Sequence, residues 1–185
     1  MKTISKISFI FILLGIVQSC SSGLSSLYDS NYTLTNEIAK AKSSQLSVKI
    51  PLGWFSAEDN ENKLIDLWLV KDDYSATLNF TALNVDSLTM KEIQSDEIKS
   101  VVEFSKAFKK VRYGKTFGEF VNQETFEINK KKFSAYEYSD DAKRNIRVVI
   151  FKSGNKFYEL TAIPVKTQNL QELYKIQNSV LSSIN

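Results

Sequence analysis

The chain has 185 residues, a formal net charge of +3, one cysteine and no histidine. Without histidine or a second thiol it cannot form a Ser-His-Asp triad, a Cys-His pair, a disulfide within the chain or a zinc site of the ordinary type. Enzyme chemistry would have to use carboxylates, lysine or tyrosine. The near-neutral charge also argues against nucleic-acid binding, which needs a strongly basic surface.

A short hydrophobic leader opens the chain. Lys2 and Lys6 make its start basic, and the apolar run that follows them is too short to span a bilayer. These features predict a secretory signal peptide over residues 1–19. Its end, VQSC at positions 17–20, resembles the lipobox of bacterial lipoproteins, in which the cysteine is acylated and becomes the new N-terminus. The resemblance implies that Cys20 carries a lipid anchor.

Two other interpretations of Cys20 are a free thiol in a soluble secreted protein and an ordinary core cysteine. A free reactive thiol is disfavoured in an oxidising compartment, and the serine-rich residues after Cys20 are typical of a linker. We therefore expect an acylated Cys20 and a flexible tether over residues 20–39. Ser21 resembles the outer-membrane sorting signal of enteric lipoproteins, so the expected location is the cell envelope, at the outer membrane facing the periplasm.

A single domain is predicted over residues 40–185, because no second boundary, repeat or low-complexity segment follows the tether. Removal of the leader leaves 166 residues with a net charge of +1, enough for one sizeable core. Three strands open the domain. In the first strand, which stops at Pro51, and in the third, over 76–85, apolar and polar residues alternate. The second, over 64–70, is largely apolar at all positions, as in a strand that is covered on both faces.

A long helix is predicted next. Thr89 and Glu92 have the spacing of a capping box, and the helix should end before Gly114. Apolar residues recur every three or four positions and predict the face that packs on the core: Ile93, Ile98, Val101, Phe104, Phe108 and Val111.

Four further strands are predicted at about 117–127, 132–139, 145–152 and 156–164, followed by a C-terminal helix capped by Asn169. The strands follow one another through tight turns and not through helical crossovers, which indicates antiparallel pairing. The predicted fold is therefore α+β, with an antiparallel sheet of about six to seven strands sandwiched by helices.

Two motifs and the order of the elements resemble the PsbP-like superfamily. The motifs are VKIPLGW at 48–54 and FYELTAIP at 157–164. The shared order is three strands, a long helix, a long hairpin with a basic turn, and a terminal amphipathic helix. The superfamily includes a photosystem II extrinsic protein, a Ran-GTPase-binding factor of nuclei and many bacterial lipoproteins. The resemblance implies a domain that binds or stabilises a partner without catalysis, and it supplies no catalytic residues.

Two groups of residues are candidates for partner binding. Trp54 and Phe55 would form an exposed aromatic patch; the alternative is that Trp54 packs into the core, as large aromatic residues usually do. Lys130, Lys131 and Lys132 fall at a predicted hairpin tip, where they would contact anionic headgroups or an acidic partner. The alternative for the lysines is a solvated turn.

The acidic residues give no specific signal. The clusters at positions 58–61, 72–73 and 140–141 lack the spacing of a calcium-binding loop, so no metal or cofactor site is predicted. A pair of carboxylates hydrolyses a glycosidic bond only if the fold brings them together in a cleft. Asp66 is the position to inspect, because it stands inside an otherwise apolar run, where an unpaired carboxylate is costly.

We therefore expect a membrane-anchored envelope lipoprotein whose domain is a non-enzymatic accessory or partner-binding module, with no cofactor, no catalytic residue and no nucleic-acid partner. Two alternatives remain open. One is an envelope hydrolase that uses a carboxylate pair or a Ser/Lys dyad, and the other is a carrier of a small apolar ligand held between sheet and helix. Close carboxylates in a cleft would favour the hydrolase. An apolar cavity would favour the carrier. A filled core with an exposed aromatic or charged face would favour the partner-binding module.

Overall fold

An antiparallel sheet with a helix on each face makes up the fold in the computed structural model. The structure describes residues 28–58, 64–84, 97–114, 119–166 and 169–185. The strands are β1 (Leu34–Lys40), β2 (Ser47–Pro51), β3 (Trp54–Ala57), β4 (Leu67–Lys71), β5 (Ala76–Leu83), β6 (Phe120–Ile128), β7 (Lys131–Ser139), β8 (Asn145–Ser153) and β9 (Lys156–Pro164), and the helices are α1 (Glu97–Tyr113) and α2 (Leu170–Ser182). The predicted α+β class is confirmed.

Two antiparallel meanders build the main sheet. Its order is β3-β4-β5-β9-β8-β7-β6, so the meander β3–β5 joins the meander β6–β9 where β9 pairs with β5. All residues at positions 146–151 of β8 and 157–162 of β9 are buried, whichever face of the sheet their side chains point to, because helices cover both faces of these strands. Within the described residues, β1 and β2 form a separate two-stranded sheet.

Two-residue turns close the hairpins β6–β7 and β8–β9, where tight turns were predicted. Asn129 and Lys130 lie between the paired residues Ile128 and Lys131 and have φ angles of 51° and 64°. Two successive positive φ values are the pattern of a type I′ turn, whose twist matches that of the strands. Gly154 takes the positive φ, 58°, in the second turn. These turns set the register of the second meander.

Each face of the sheet has its own apolar core. On one face, α2 and the β1–β2 hairpin cover a large cluster that includes the fully buried Leu69, Phe80 and Leu173. On the other face, α1 packs on β7 and β8, and Val101 meets a smaller cluster around Val148. Apolar area removed from water on both faces stabilises the sandwich.

The folded domain begins before the predicted boundary at residue 40. β1 pairs with β2, and the segment ahead of β1 lies along α2. The Tyr32 N–H donates to Ser179 Oγ at 2.9 Å, and the Lys175 ammonium lies 3.2 Å from an Asp29 carboxylate oxygen. This corrects the predicted tether, whose polar composition is typical of a linker but here supplies hydrogen bonds to the helix.

The buried face of α1 differs from the predicted stripe. Val101 and Ser105 have no exposed surface, whereas Phe108 and Val111 are 55% and 84% exposed, so their predicted core positions are wrong. The helix turns a polar edge inward because Lys109, one turn after Ser105, pairs with a buried carboxylate of β9. Three positions used for the helix prediction lie outside the described residues: Thr89, Glu92 and Ile93.

The C-terminal helix α2 follows its prediction. The Asn169 side chain caps it by accepting hydrogen bonds from the N–H groups of Gln171 and Glu172. Gln177 interrupts the apolar face in the sequence, yet it is fully buried, and its Nε2 donates to the Leu160 carbonyl at 2.8 Å. The polar interruption therefore ties α2 to β9.

Candidate functional site

The structure separates the two aromatic residues predicted as a patch. Trp54 is 6% exposed and belongs to the core that α2 covers. Phe55, next along β3, is half-buried, and its ring meets the Tyr74 ring edge-on with 5.9 Å between centroids. Successive residues of a strand point to opposite faces. The two side chains therefore do not form one surface, and of the two only Phe55 reaches solvent appreciably.

The three lysines of the β6–β7 turn also point to different places. Lys130 is exposed at the tip of the turn. The Lys131 ammonium donates to the Ile184 carbonyl at 2.6 Å, just beyond the C-terminal end of α2, where a cation is favoured. Lys132 lines a cleft on the α1 side of the sheet. Only Lys132 joins other basic residues in a concave site.

A cleft of about 950 Å³ opens between the first turn of α1 and strands β6 to β8. Three lysines from three different elements line it, Lys99 of α1, Lys132 of β7 and Lys152 of β8. The hydroxyls of Thr125 and Ser134, 3.5 Å apart, are also on its wall. The remaining described lining residues are Ile98, Gln123, Glu124, Phe126 and Glu127. The volume is in the range of ligand-binding clefts.

Two carboxylates, Glu124 and Glu127, stand among the lysines that line the cleft. The Glu124 carboxylate is already bonded: Arg147 Nη2 donates to Oε1 at 3.1 Å and the Tyr28 hydroxyl to Oε2 at 2.7 Å. Glu127 stands opposite Lys132 in the β6–β7 register and offsets part of its charge.

A buried arginine organises the face of the sheet under α2. Arg147 is 2% exposed, and its Nη1 donates to the side-chain oxygens of Gln177 and Asn178, each at 2.9 Å. The guanidinium lies over the rings of Phe126 and Tyr174, at 5.1 and 5.2 Å from their centroids. With the Glu124 ion pair, both terminal nitrogens are engaged. The cluster is a closed structural network.

Tyr174 extends this network to a second carboxylate. Its hydroxyl donates to Glu137 Oε2 at 2.8 Å, and Asn122 Nδ2 donates to Oε1 at 3.2 Å. Burial, and after it the charge of Glu137, raises the pKa of Tyr174 above its usual range, so the hydroxyl stays neutral at physiological pH. Glu137 and Glu124 thus serve separate donors, which is not the arrangement of a catalytic acid and base.

A second closed cluster lies under α1. The Ser105 and Tyr136 hydroxyl oxygens are 2.6 Å apart, Ser105 also donates to Glu159, and the Lys109 ammonium lies 2.7 Å from Glu159 Oε2. Ser105 and Lys109 stand on successive turns, as a Ser/Lys dyad would. However, Ser105 has no exposed surface and Lys109 is ion-paired, so neither is available as nucleophile or base.

Asp66 precedes β4 and does not stand inside a strand. It is 9% exposed, its Oδ1 accepts a hydrogen bond from the Ser43 N–H at 2.7 Å, and its carbonyl accepts one from the Lys42 N–H at 3.0 Å. Its Oδ2 has no hydrogen-bond partner among the described residues. The backbone and Oδ1 contacts pin the chain after β1 to the start of β4, which is a structural role.

Sequence reasoning missed the two strongest buried charges. Arg147 and Glu159 each stand within an apolar stretch of a strand, which is the signal that singled out Asp66. A search of every predicted strand for a charged residue among apolar ones would have found both. Their partners on α2 and α1 could not be found in this way, because the pairing depends on which helix covers which face.

The described part of the chain contains no group of three or more carboxylate or cysteine side chains placed to hold a metal ion. None of its helices is long and apolar enough to cross a membrane. Cys20 lies outside the described residues, and its acylation stays a prediction.

The architecture matches that of a solved protein. The solution structure of cyanobacterial PsbP (CyanoP) from Synechocystis sp. PCC 6803 aligns with a TM-score of 0.57 over 80% of this chain and 91% of its own, at 13% identity. The domain has the PsbP-like fold. At 13% identity the PsbP-like match shows the fold alone, and the resemblance seen in the two sequence motifs is confirmed at that level.

A second match is weaker. A crystal structure of a protein from Bacteroides thetaiotaomicron VPI-5482 aligns over 76% of this chain and 44% of its own, at 13% identity and a TM-score of 0.34, too low to support an argument. No protein-family model matches the chain, and no curated protein matches it in sequence.

Proposed function

We propose that the chain is an envelope lipoprotein, anchored to the membrane through an acylated Cys20, whose PsbP-like domain is a non-enzymatic module that binds a partner protein. The leader that ends at Cys20 supports the anchor. The PsbP-like fold supports the accessory role, since the superfamily that the sequence resembles consists mostly of partner-binding domains.

The observation that carries the non-enzymatic proposal is the closure of both buried charged clusters. Arg147 and Glu159 are 2% and 4% exposed, and each is held by partners within the domain. A nucleophile or general base needs access to substrate and a free lone pair. Ser105, the hydroxyl placed beside a lysine on α1, has neither, because it is buried and hydrogen-bonded.

The accessible chemistry lies instead on the surface. The lysine-lined cleft, the exposed Lys130 and the half-buried Phe55 offer charge and aromatic area to a partner. A carrier of an apolar ligand would need an apolar cavity, and the cleft has lysines, glutamates and hydroxyls on its walls. These features favour the binding module.

Site-specific photocrosslinking in the native envelope tests the partner. A photoreactive residue is placed at Phe55, at Lys130 or, as the control, at exposed Lys143 in the β7–β8 turn, in the full-length acylated chain. A discrete crosslinked protein is expected from Phe55 or Lys130 and not from Lys143. Crosslinking that is absent or equal at all three positions would refute partner binding at the predicted residues.

An activity assay tests the non-enzymatic part. The purified chain is incubated with envelope polysaccharide and ester substrates, and no turnover is expected. Turnover that is lost in Ser105→Ala or Glu159→Gln, with the fold retained by circular dichroism, would establish the hydrolase instead.

A further inference from the structure

We propose that an apolar patch at one end of the sheet inserts into the interfacial region of the bilayer to which the chain is anchored. This apolar turn patch consists of Leu52, Tyr74 and Val165. The inference deepens the proposed function and rests on it, since it needs the lipid at Cys20. Insertion would orient the domain so that the opposite end of the sheet, with the exposed Lys130, is presented to the partner protein.

The patch gathers exposed apolar side chains from three segments of the chain. Leu52 lies between β2 and β3, Tyr74 lies in the turn between β4 and β5, and Val165 directly follows β9. The starts of β3 and β5 and the ends of β4 and β9 lie at the same end of the sheet, because these strands pair antiparallel. The three side chains are 57%, 64% and 48% exposed. Clustered apolar residues of this kind mark an interaction site, whereas scattered ones do not.

Backbone hydrogen bonds hold the three segments together. The Asp72 N–H donates to the Gly53 carbonyl at 3.0 Å and joins the β4–β5 turn to the β2–β3 turn. The Val165 N–H donates to the Ser75 carbonyl at 2.8 Å and joins the segment after β9 to the β4–β5 turn. Because the patch is already ordered in the folded domain, docking costs it little conformational entropy.

Tyr74 is held at the surface in an unusual backbone conformation. Its φ angle is 57°, in the left-handed region that disfavours a bulky residue. Its N–H donates to the Lys71 carbonyl at 2.8 Å, and the Phe55 ring meets its ring edge-on. Glycine or asparagine would fit this turn with less strain, and strained residues cluster at sites of function. Tyrosine is enriched where a membrane meets water, because its ring is apolar and its hydroxyl is polar.

The charges around the patch balance one another. The Lys71 ammonium lies 3.6 Å from an Asp73 carboxylate oxygen, and the Lys166 ammonium donates to the Asp73 carbonyl at 3.1 Å. Asp72 supplies the second negative charge. Two lysines and two aspartates leave no net charge, so the rim does not attract a strongly charged partner. A zwitterionic lipid surface fits this combination of an apolar centre and a neutral rim.

The chain ahead of the described residues is long enough to bring the patch to the bilayer. The Tyr28 ring contacts Phe126, which lies six residues after the start of β6 at the patch end, about 20 Å along the strand. Tyr28 is eight residues after Cys20, and a fully extended chain of that length spans at most about 29 Å. An anchor within this distance keeps the patch near the surface. Three side chains then suffice, where a free protein interface uses about 20–30 residues a side.

The opposite end of the sheet is less suited to insertion, although the same link reaches it. The β6–β7 turn at that end exposes Asn129 and Lys130, and the exposed Glu127 and Lys132 flank the turn. Charged and amide groups are costly to remove from water, whereas apolar side chains gain from it. The chemistry of the two ends therefore favours the apolar turn patch.

An environment-sensitive fluorophore tests the proposal on the acylated full-length chain. Cys20 is the only cysteine, and acylation blocks its thiol, so a cysteine introduced by Leu52→Cys or Val165→Cys can be labelled alone. Leu64→Cys is the matched control, because Leu64 is 59% exposed and lies ahead of β4 at the opposite end. Each chain is reconstituted into vesicles of phosphatidylcholine that carries a nitroxide quencher high on its acyl chain.

The two patch positions should lose fluorescence to the lipid quencher, and position 64 should keep it. Because insertion of an apolar patch does not depend on charge, the quenching should persist at high salt and should not require anionic lipid.

A matched pair of variants separates the patch from exposed apolar residues in general, with the fluorophore at Val165→Cys as the readout. Leu52→Ser with Tyr74→Ser should abolish the quenching. Ile38→Ser with Leu64→Ser makes the same change at residues that are 53% and 59% exposed elsewhere, and should leave the quenching intact. Circular dichroism and thermal unfolding confirm that both variants are folded.

Several outcomes would overturn the proposal. Unquenched patch positions in a chain that stays with the vesicles would show that the patch does not insert, and equal quenching at position 64 would show that neither end is preferred. An emission shift without quenching would assign the patch to a second copy if it grew with protein density, or to a protein partner if it needed an added envelope protein. A chain that washes off the vesicles would refute the anchor itself, which distinguishes failure of the proposed function from failure of the patch.

Discussion

Single buried charges join the helices of this domain to its sheet. Arg147 takes side-chain partners from α2, whereas Glu159 takes Ser105 and Lys109 from α1. A buried ion pair contributes little beyond a well-packed apolar pair, but removal of one partner leaves the other desolvated and uncompensated. These residues therefore make the packing of the helices specific, and their loss is costly.

Arg147→Met tests this at one residue. The variant removes the guanidinium that donates hydrogen bonds to Glu124, Gln177 and Asn178. Because these groups stay in the domain without that donor, the free energy of unfolding should fall by about 3–5 kcal/mol. Arg112→Met, the same change at an exposed position of α1, should cost less than about 0.5 kcal/mol. Urea denaturation of both variants gives the comparison, and similar losses in the two would contradict a special role for Arg147.

Alkaline pH tests the buried tyrosines. Burial, and after it the charge of Glu159, raises the pKa of Tyr136, as burial and Glu137 raise that of Tyr174. Above pH 10 the unfolded chain loses these protons and the folded chain keeps them, so stability should fall by up to about 1.4 kcal/mol per pH unit for each tyrosine. Below pH 10 this contribution is fully present.

Denaturant midpoints measured between about pH 8 and 11.5 give the slope. The double variant Tyr136→Phe and Tyr174→Phe should lose stability less steeply above pH 10 than the parent chain does. An unchanged slope in the double variant would mean that other groups govern the alkaline transition.

At the scale of elements, apolar periodicity predicted α2 well and α1 poorly. The apolar residues on one face of α2, such as Leu173, Val180 and Leu181, lie in the large core. Gln177 fits among them because its amide finds carbonyl partners. In α1 the apolar Phe108 and Val111 lie outside while Ser105 lies inside. Apolar periodicity identifies an amphipathic helix. It does not identify the buried face reliably, because a buried polar group on the sheet can turn the helix so that polar residues of the helix pack against the sheet.

Leu173→Ala tests the packing of α2. Leu173 is fully buried, so its truncation should lower the free energy of unfolding by about 2–5 kcal/mol through lost burial and a residual cavity. Leu52→Ala is the matched control, because Leu52 is 57% exposed and should change stability by less than about 0.5 kcal/mol. A loss under about 0.5 kcal/mol for Leu173 would show that α2 is not packed as described.

Two truncations test the role of β1. A chain that starts at residue 28 should unfold cooperatively and show no shift with a chelator, since its described residues form the core without metal or disulfide. A chain that starts at residue 41 lacks β1 and the Tyr32–Ser179 contact and should melt at a lower temperature. Calorimetry gives the melting temperature of each protein. Equal melting temperatures would show that residues 28–40 do not stabilise the fold and belong to the tether.

At the scale of the whole molecule, the N-terminal segment enters the fold at the border formed by the edge strand β6. Tyr28 and Asp29 contact β6 and α2 on the α2 face of the sheet, whereas the lysines of the cleft lie on the α1 face. Two meanders joined at β5 and β9 place that cleft at one end of the strands, and the turns at β4–β5 and β7–β8 at the other.

Cys20→Ser tests the attachment. Loss of the acylated thiol should leave unprocessed precursor or soluble periplasmic protein, because the acyl chains supply the stable hold on the bilayer. Fractionation followed by a salt wash distinguishes the two forms from anchored protein. Retention of the serine variant in the washed membrane would contradict the anchor at Cys20.

The sequence by itself determined the α+β class, the tight turns of the second meander and the C-terminal helix, because periodicity, turn chemistry and capping act over a few residues. Tertiary structure alone decided that Trp54, and not Phe55, faces the core, that Lys131 reaches the end of α2 while Lys132 does not, and that Arg147 and Glu159 find their partners. Those placements depend on the pairing of β5 with β9 and on which helix covers which face. They join residues 23 to 54 positions apart, beyond the reach of any local pattern, and the burial of both cores selects them.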